Sequence, residues 1–364
     1  MIIKKVFVIF DTMFITGINH KTAPIEIREK FFLNPIQQDL LLSELKANPS
    51  VAEAFVLSTC NRIEVYLKRV DDSCNMDFVV DLICKIKKTN MDPSFRSHFY
   101  TYTDAEAILH LMNVATGMDS LVLGEKQIIG QVKSAVERAR GLTTLSKYFN
   151  ILTNVAIRAG KKAQSETDIS CGGSSISWAA INMAEETLGT LLEKSILVIG
   201  AGKMGELALT QLQDKGAGKI YLMNRTGEKA EALAQKFSGV PVSFMDIKDT
   251  LIDVDICICS VGAPHYILDK DMVESIMAKR DFRKLLFIDI SMPRNIDPQT
   301  ATVRGVSLFT IDDLDKVVGE NMKRRQAAAS QVEEIIRQKV AEFGEKWEKV
   351  QNRSDSDFFE PSEV

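Results

Sequence analysis

Ile196-Leu197-Val198-Ile199-Gly200-Ala201-Gly202-Lys203-Met204-Gly205-Glu206-Leu207 decides the fold of this 364-residue chain. Four aliphatic residues run straight into glycines spaced Gly-x-Gly-x-x-Gly, and an amphipathic pattern follows. A buried strand, a tight glycine turn and a helix start in that order form the opening of a dinucleotide-binding sheet. Glycines let the backbone touch a pyrophosphate, and the helix N-terminus offers it partial positive charge. Gly200, Ala201, Gly202, Lys203, Met204 and Gly205 are the expected cofactor-binding turn. Outward from there, apolar runs at 196–199, 219–223, 242–244, 255–260 and 285–290 read as strands, with helices such as 205–213 and 228–237 between them. Strands this continuously apolar indicate a parallel sheet covered on both faces.

About 20 residues beyond the glycines, an NAD site places a carboxylate on the ribose 2′-hydroxyl. This chain has Asn224, Arg225 and Thr226 there. A guanidinium pairs with a 2′-phosphate where a carboxylate would repel it, so the expected cofactor is NADPH. The region before the glycines is different. Residues 13–100 alternate short strands (14–18, 54–57, 63–67) with helical patterns (35–46, 78–88), and 103–168 reads as almost all helix. Val332, Ile336, Val340, Phe343, Trp347 and Val350 then draw one apolar seam along a helix over 312–350, packed along the chain's own domains or against a second protomer. The expected fold is α/β: an N-terminal α/β catalytic domain (1–157), a central Rossmann-like, doubly wound NADP-binding domain (158–310), a long C-terminal linking helix (311–351) and a polar, disordered tail (352–364).

Composition narrows the function classes. Charged residues make up 26% and the net charge is -4, which carries no global signature of nucleic-acid binding. The first 170 residues are slightly basic and the remainder acidic. Six cysteines and four histidines show no CxxC pair and no zinc spacing, so no metal is expected, and free thiols fit a reducing, cytoplasmic setting. No run approaches 20 uninterrupted apolar residues, so no membrane span is expected. The apolar run at 6–10 is broken by Asp11 and reads as an edge strand rather than a signal peptide.

One cysteine stands apart. In Ser58-Thr59-Cys60-Asn61-Arg62-Ile63-Glu64-Val65-Tyr66 a thiol follows an apolar run and precedes a guanidinium by two residues. Cationic neighbours lower a thiol's pKa, so Cys60 is either a small packing residue or a nucleophile.

That segment, together with Gly17-Ile18-Asn19-His20-Lys21-Thr22-Ala23-Pro24 and the run from Gly117 to Lys133, resembles the glutamyl-tRNA reductase family. The match continues in order through Arg225, Asp289–Arg294 and Arg324–Ala329. The resemblance implies an NADPH-dependent enzyme of tetrapyrrole biosynthesis that takes glutamyl-tRNA(Glu) as substrate. Cys60 would attack the ester, release the tRNA and leave a thioester for hydride to reduce to glutamate-1-semialdehyde. It implies Thr59, Asn61, Arg62, Ser120, Glu125, Lys126, Gln127 and Gln131 as the glutamate pocket, with Arg62 as a bidentate partner for a substrate carboxylate. It also implies His110 as an aid to the thiolate or a proton donor to the leaving oxygen. Lys126 stands where many members have proline. The family's homodimer relies on a C-terminal helical domain that does not follow Val350 here, which counts against that dimer. The aminomutase that consumes the aldehyde is a candidate partner. Two rival readings are a catalytically weak glutamyl-tRNA-binding or regulatory module, and an NADP-dependent reductase of a free small metabolite.

Overall fold

The computed structural model describes residues 13–89, 92–170, 176–314 and 322–356. Two compact units emerge, Met1–Gly172 with Asn321–Val364, and Gly173–Glu320.

The first unit holds a four-stranded antiparallel sheet in the order β2-β3-β1-β4. Its elements run β1 (Met13–Asn19), α1 (Ile25–Phe31), α2 (Pro35–Ala47), β2 (Val51–Ser58), β3 (Arg62–Arg69), α3 (Met76–Lys87), β4 (Tyr100–Thr103), α4 (Asp104–Thr116), α5 (Gln127–Gly141) and α6 (Lys147–Glu166). Strand β1 is central, between β3 and β4; the expected edge strand at 6–10 lies outside the described residues. Helix α2 starts at a reciprocal cap. Asn34 accepts from the Gln37 amide at 2.9 Å, the Gln37 side chain accepts from the Asn34 amide at 3.0 Å, and Pro35 takes the first turn. Helix α6 borrows its cap from a distant strand. The buried carboxylate of Glu53 on β2 accepts from the amides of Ser146, Tyr148 and Phe149 at 2.8–3.0 Å, answering donors that a helix N-terminus leaves unpaired. Because α6 runs unbroken to Glu166, the division falls at Gly172 and not at the expected 157.

The second unit comprises α7 (Ile176–Leu188), β5 (Ile196–Ile199), α8 (Lys203–Asp214), β6 (Ile220–Met223), α9 (Gly227–Phe237), β7 (Val240–Val242), α10 (Ile247–Asp253), β8 (Ile256–Cys259), α11 (Lys270–Lys279), β9 (Leu285–Asp289) and β10 (Val306–Thr310). Its six strands are all parallel, in the order β10-β9-β8-β5-β6-β7. This is the doubly wound arrangement, in which ligands bind beyond the carboxyl ends of the strands where the order reverses. Two details differ from the sequence reading. Strand β7 ends at Val242 because Ser243 accepts from the Met245 amide and opens a 3-10 turn. Strand β10 escapes the apolar pattern because it pairs only with β9, at the edge of the sheet.

The chain returns to the first unit as α12 (Met322–Ser356). The seam from Val332 to Val350 lies in that unit's own core, against α4 and α6. Phe343 and Trp347 meet the ring of Tyr148 edge-on, at centroid distances of 5.4 and 4.9 Å. The apolar stripe is therefore covered by its own chain, without a second protomer. The expected helix start at 312 is displaced, since 311–314 form a 3-10 turn held by Asp313, which accepts from the Thr310 amide. The helix also runs into the expected tail, to Ser356; residues 357–364 lie outside the described set. No helix among the described residues is long and apolar enough to cross a membrane.

Phe343→Ala should cost about 3–5 kcal/mol by opening a cavity under Tyr148. A urea transition of the first unit within 0.5 kcal/mol of wild type, on the order of an ordinary surface substitution, would show that α12 is not part of that core.

Candidate active site

Cys60 sits at the apex of the turn between β2 and β3, partly buried. Thr59 builds that turn: its Oγ1 accepts from the amides of Asn61 and Arg62, both at 3.2 Å, and its own amide donates to the Arg62 carbonyl. Beyond the turn, alternate residues of β3 share one face. Arg62, Glu64 and Tyr66 thus line up under Cys60, all fully buried.

Glu64 is the centre of this face. Its carboxylate accepts from Arg62 Nη1 at 2.7 Å, Tyr66 OH at 2.5 Å, Tyr100 OH at 2.5 Å and His110 Nε2 at 2.8 Å. These donors, led by the Arg62 charge, hold the carboxyl well below the usual range despite its burial. Gly17 makes room for the arrangement. It lies across from Glu64 on one side and Tyr100 on the other, and a Cβ there would fall 2.5 Å from the Ile63 carbonyl and 2.8 Å from Glu64 Cγ. Tyr100 can therefore reach over Gly17 to Glu64.

The second partner of Arg62 comes from the loop after α4. Asp119 Oδ2 accepts from Arg62 Nη1 at 2.9 Å and its carbonyl from Nη2, while Asp119 Oδ1 pairs with Lys21 at 2.5 Å. The far end of the same loop is fixed by close backbone packing. Gly124 has a φ of +77° and a Cβ on it would lie 1.9 Å from the Ile169 carbonyl; Ser170 Oγ donates to the Gly124 carbonyl at 2.7 Å. The loop thereby holds Glu125 buried and Lys126 exposed. Gln127 opens α5 buried, and Gln131 follows one turn later on the same face.

Three sequence expectations change here. Arg62 does not offer a free fork to a substrate carboxylate, because both terminal nitrogens are already bonded to Glu64 and Asp119. Nor does it make Cys60 acidic: burial, reinforced by Glu125, pushes the thiol up to about 12 and outweighs Arg28 and Arg62. His110 has one nitrogen committed. The Glu64 carboxylate can only accept, so Nε2 carries the proton, and the ring is stacked on Tyr102 at 4.7 Å. Glu64, His110 and Asp119 bring donor atoms within 4.8 Å of one another, a spacing a metal could use. The cation already seated between the two carboxylates is the Arg62 guanidinium.

Among the described residues, four buried side-chain atoms on the segments just described lack a hydrogen-bond partner: Asn61 Oδ1 beside Cys60, His20 Nδ1 after β1, Ser120 Oγ beside Asp119 and Gln127 Nε2 at the start of α5. Native interiors leave few such groups unpaired unless a ligand or water meets them. They offer acceptors and donors together, the complement of an amino acid carrying both an ammonium and a carboxylate. Glu125, raised to about 7 by burial, completes the set. Glu64, Asp119, Tyr66, Tyr100 and His20 were not singled out from the sequence as site residues. The polar period of two at 62, 64 and 66 was the available signal.

In the second unit the glycine turn fits a dinucleotide. Gly200 has a φ of +116° and Gly205 packs so closely that a Cβ would lie 2.2 Å from the Gly200 carbonyl. Gly202 caps α8, and the Ala201 amide donates to Asn224 Oδ1 at 3.3 Å, joining the turn to the end of β6. Lys203 and Met204 begin α8, and Thr226 precedes α9. A cavity of about 300 Å³ opens beside them, lined by Asn224, Arg225, Gly227 and Ser243 among others.

Glu64→Gln should destabilise the first unit by about 3 kcal/mol at pH 7, the lower end for a broken buried pair, since Asp119 still faces Arg62. Glu64 is depressed in the fold, so its contribution is full above about pH 5 and fades as pH falls towards the folded value. The gap between variant and wild type in urea melts should close on acidification; a gap that widens would refute the assignment.

Residues 16–167 match the family model of the glutamyl-tRNAGlu reductase N-terminal domain, and residues 182–317 match that of shikimate/quinate 5-dehydrogenase. The second match supports a nicotinamide cofactor in the second unit. The glutamyl-tRNA reductase of Bacillus pumilus is 40% identical over 333 residues, spanning 90% of this chain and 72% of that protein. That of Aquifex aeolicus is 39% identical over 91% of this chain and 80% of its own length. The solved glutamyl-tRNA reductase of Methanopyrus kandleri superposes with a TM-score of 0.54 at 34% identity, covering 94% of this chain and 82% of the other. With the glycine-turn unit and the buried site beside Cys60, these likenesses place the chain in the glutamyl-tRNA reductase family.

Proposed function

We propose that Cys60 is the nucleophile of this glutamyl-tRNA reductase, that Glu125 moves its proton, and that NADPH is the reductant. Members of the family reduce glutamyl-tRNA in the first step of tetrapyrrole biosynthesis, and this chain does so too. The observation that carries the residue assignment is the set of unpartnered buried polar atoms on the Cys60 turn and on the segments tied to it through Arg62 and Asp119. Asn61 Oδ1 suits the substrate's α-ammonium, and Gln127 Nε2 and Ser120 Oγ suit its carboxylate or ester carbonyl. Gln131 and Lys126 extend this pocket along and outside α5, and Thr59 acts by holding the turn. His110 acts through Glu64, fixing Arg62 and the loop that presents Glu125.

A thiol at about 12 is protonated at neutral pH, so attack needs a base at hand. Glu125, poised near 7 and acting on Cys60, is suited to take that proton. The new S–C bond forms as the C–O bond to the tRNA 3′ oxygen breaks, and the proton on Glu125 passes to that oxygen. A free carboxylate resists hydride, whereas the resulting thioester carbonyl is electrophilic. The chemistry supplied by NADPH when bound is hydride donation to that carbonyl, giving glutamate-1-semialdehyde and freeing the Cys60 thiolate. The Gly200–Gly205 turn suits the pyrophosphate, and Arg225, on the cavity at the end of β6, suits a 2′-phosphate. The binding-module reading keeps the pocket but forms no thioester.

A single-turnover reaction with radiolabelled glutamyl-tRNA separates them. Label should be trapped on wild-type protein without NADPH and leave as aldehyde when NADPH is added, and Cys60→Ser should trap none. Label staying on the tRNA in every tube would favour the binding module. Arg225→Ala should raise KM for NADPH about tenfold or more, for the loss of a charged pair, and leave KM for glutamyl-tRNA unchanged. Equal effects on both would sink the 2′-phosphate assignment.

A further inference from the structure

His20 is the member of the unpartnered group that the mechanism above leaves without work. It directly follows β1, whose last residue, Asn19, pairs with Arg62. Its amide donates to the Asn61 carbonyl at 3.0 Å, so its backbone runs alongside the residue next to Cys60. Nδ1 of its ring is buried and meets no partner among the described residues.

The charges around the ring say what it can meet. Arg62, Lys21 and Arg28 act on it from one side of the ledger, and Asp119 is the opposing anion. Burial first, and Arg62 next, lower the imidazole to about 4, so in the free enzyme it is neutral with a single N–H. A base that weak does not deprotonate a thiol at about 12, which removes the catalytic-base reading. A ligand ammonium would be repelled by these three cations. An anionic acceptor is favoured by all of them, and Arg62, locked to Glu64 and Asp119, attracts it by field without giving up its bonds.

We propose that His20 binds the side-chain carboxylate of the glutamyl group through Nδ1–H and helps select glutamate over glutamine. The proposal rests on the reading that this pocket holds the glutamyl end of the tRNA. It divides the pocket by charge: carboxylate towards His20 and the cations, ammonium towards Asn61 Oδ1, with the ester between them at Cys60.

The test uses the full chain and four variants. His20→Phe keeps the ring volume without a donor. Asn at this position places its amide nitrogen near Nδ1, whereas Gln reaches towards Nε2. For His20→Phe we expect KM for glutamyl-tRNA to rise about tenfold or more, the worth of a hydrogen bond to a charged group, with kcat falling less and KM for NADPH unchanged. Discrimination against the same tRNA charged with glutamine should narrow. His20→Asn should recover most of the loss and His20→Gln should not. A His20→Phe protein with wild-type KM and wild-type discrimination overturns the proposal, as does Gln rescuing as well as Asn. If His20→Phe does not fold, the Asn and Gln pair still decides. Retained turnover in Cys60→Ser would instead break the underlying reading, whatever the His20 variants do.

Discussion

A guanidinium without access to water sets the geometry of the first unit. Arg62 is 1% exposed, and an unpaired buried cation is costly enough that its partners must be in place for the fold to stand. Those partners come from separate elements: Glu64 from the same strand, Asp119 from the loop after α4, with Tyr100 from β4 and His110 from α4 completing the carboxylate's shell. Satisfying one charge therefore ties two strands, a helix and a loop to one point. The turn that carries Cys60 leads directly into this arginine, so Cys60 inherits that rigidity.

This assigns Arg62 a different role from the one its position two residues past a cysteine suggests. A nearby cation would stabilise a thiolate in water, but here its charge is answered by two carboxylates, and desolvation dominates at Cys60. The free enzyme thus keeps a quiet thiol. The Glu125 carboxyl, which the proposed mechanism uses as base, is held near 7 by burial against the pull of Arg62. A thiol held protonated is protected from adventitious alkylation and oxidation, since the thiolate is the reactive form in both.

Much of this was legible from the chain. The glycine turn after Ile199 announced the parallel sheet because strand, turn and helix start are all local in sequence, and the apolar seam of α12 announced a buried helix for the same reason. Cys60 and its neighbours announced a site through their motif. What stayed hidden depends on distance along the chain. Glu53 caps a helix more than ninety residues away, Asp119 answers Arg62 across 57 residues, and Gly17 matters because of what stands opposite it in the sheet. Strand pairing creates these meetings, and no local periodicity encodes them. The direction of the Cys60 shift was missed for a related reason: sequence shows which charges are near, but not how much water is gone.

The unpartnered atoms give the deeper contrast. Among the described residues, Arg62, Glu64 and Asp119 answer one another, whereas Asn61 Oδ1, Ser120 Oγ, Gln127 Nε2 and His20 Nδ1 have no hydrogen-bond partner. A chain able to satisfy so dense a cluster at Glu64 has the means to satisfy four more atoms, and leaving them bare costs stability. Stability given up on the Cys60 turn and the segments tied to it makes sense if a ligand restores it. The same bonds that relieve these atoms then supply binding energy to the glutamyl group, and a ligand lacking one of them leaves a buried group unpaired. Rejection by an unpaired polar group is far sharper than rejection by shape.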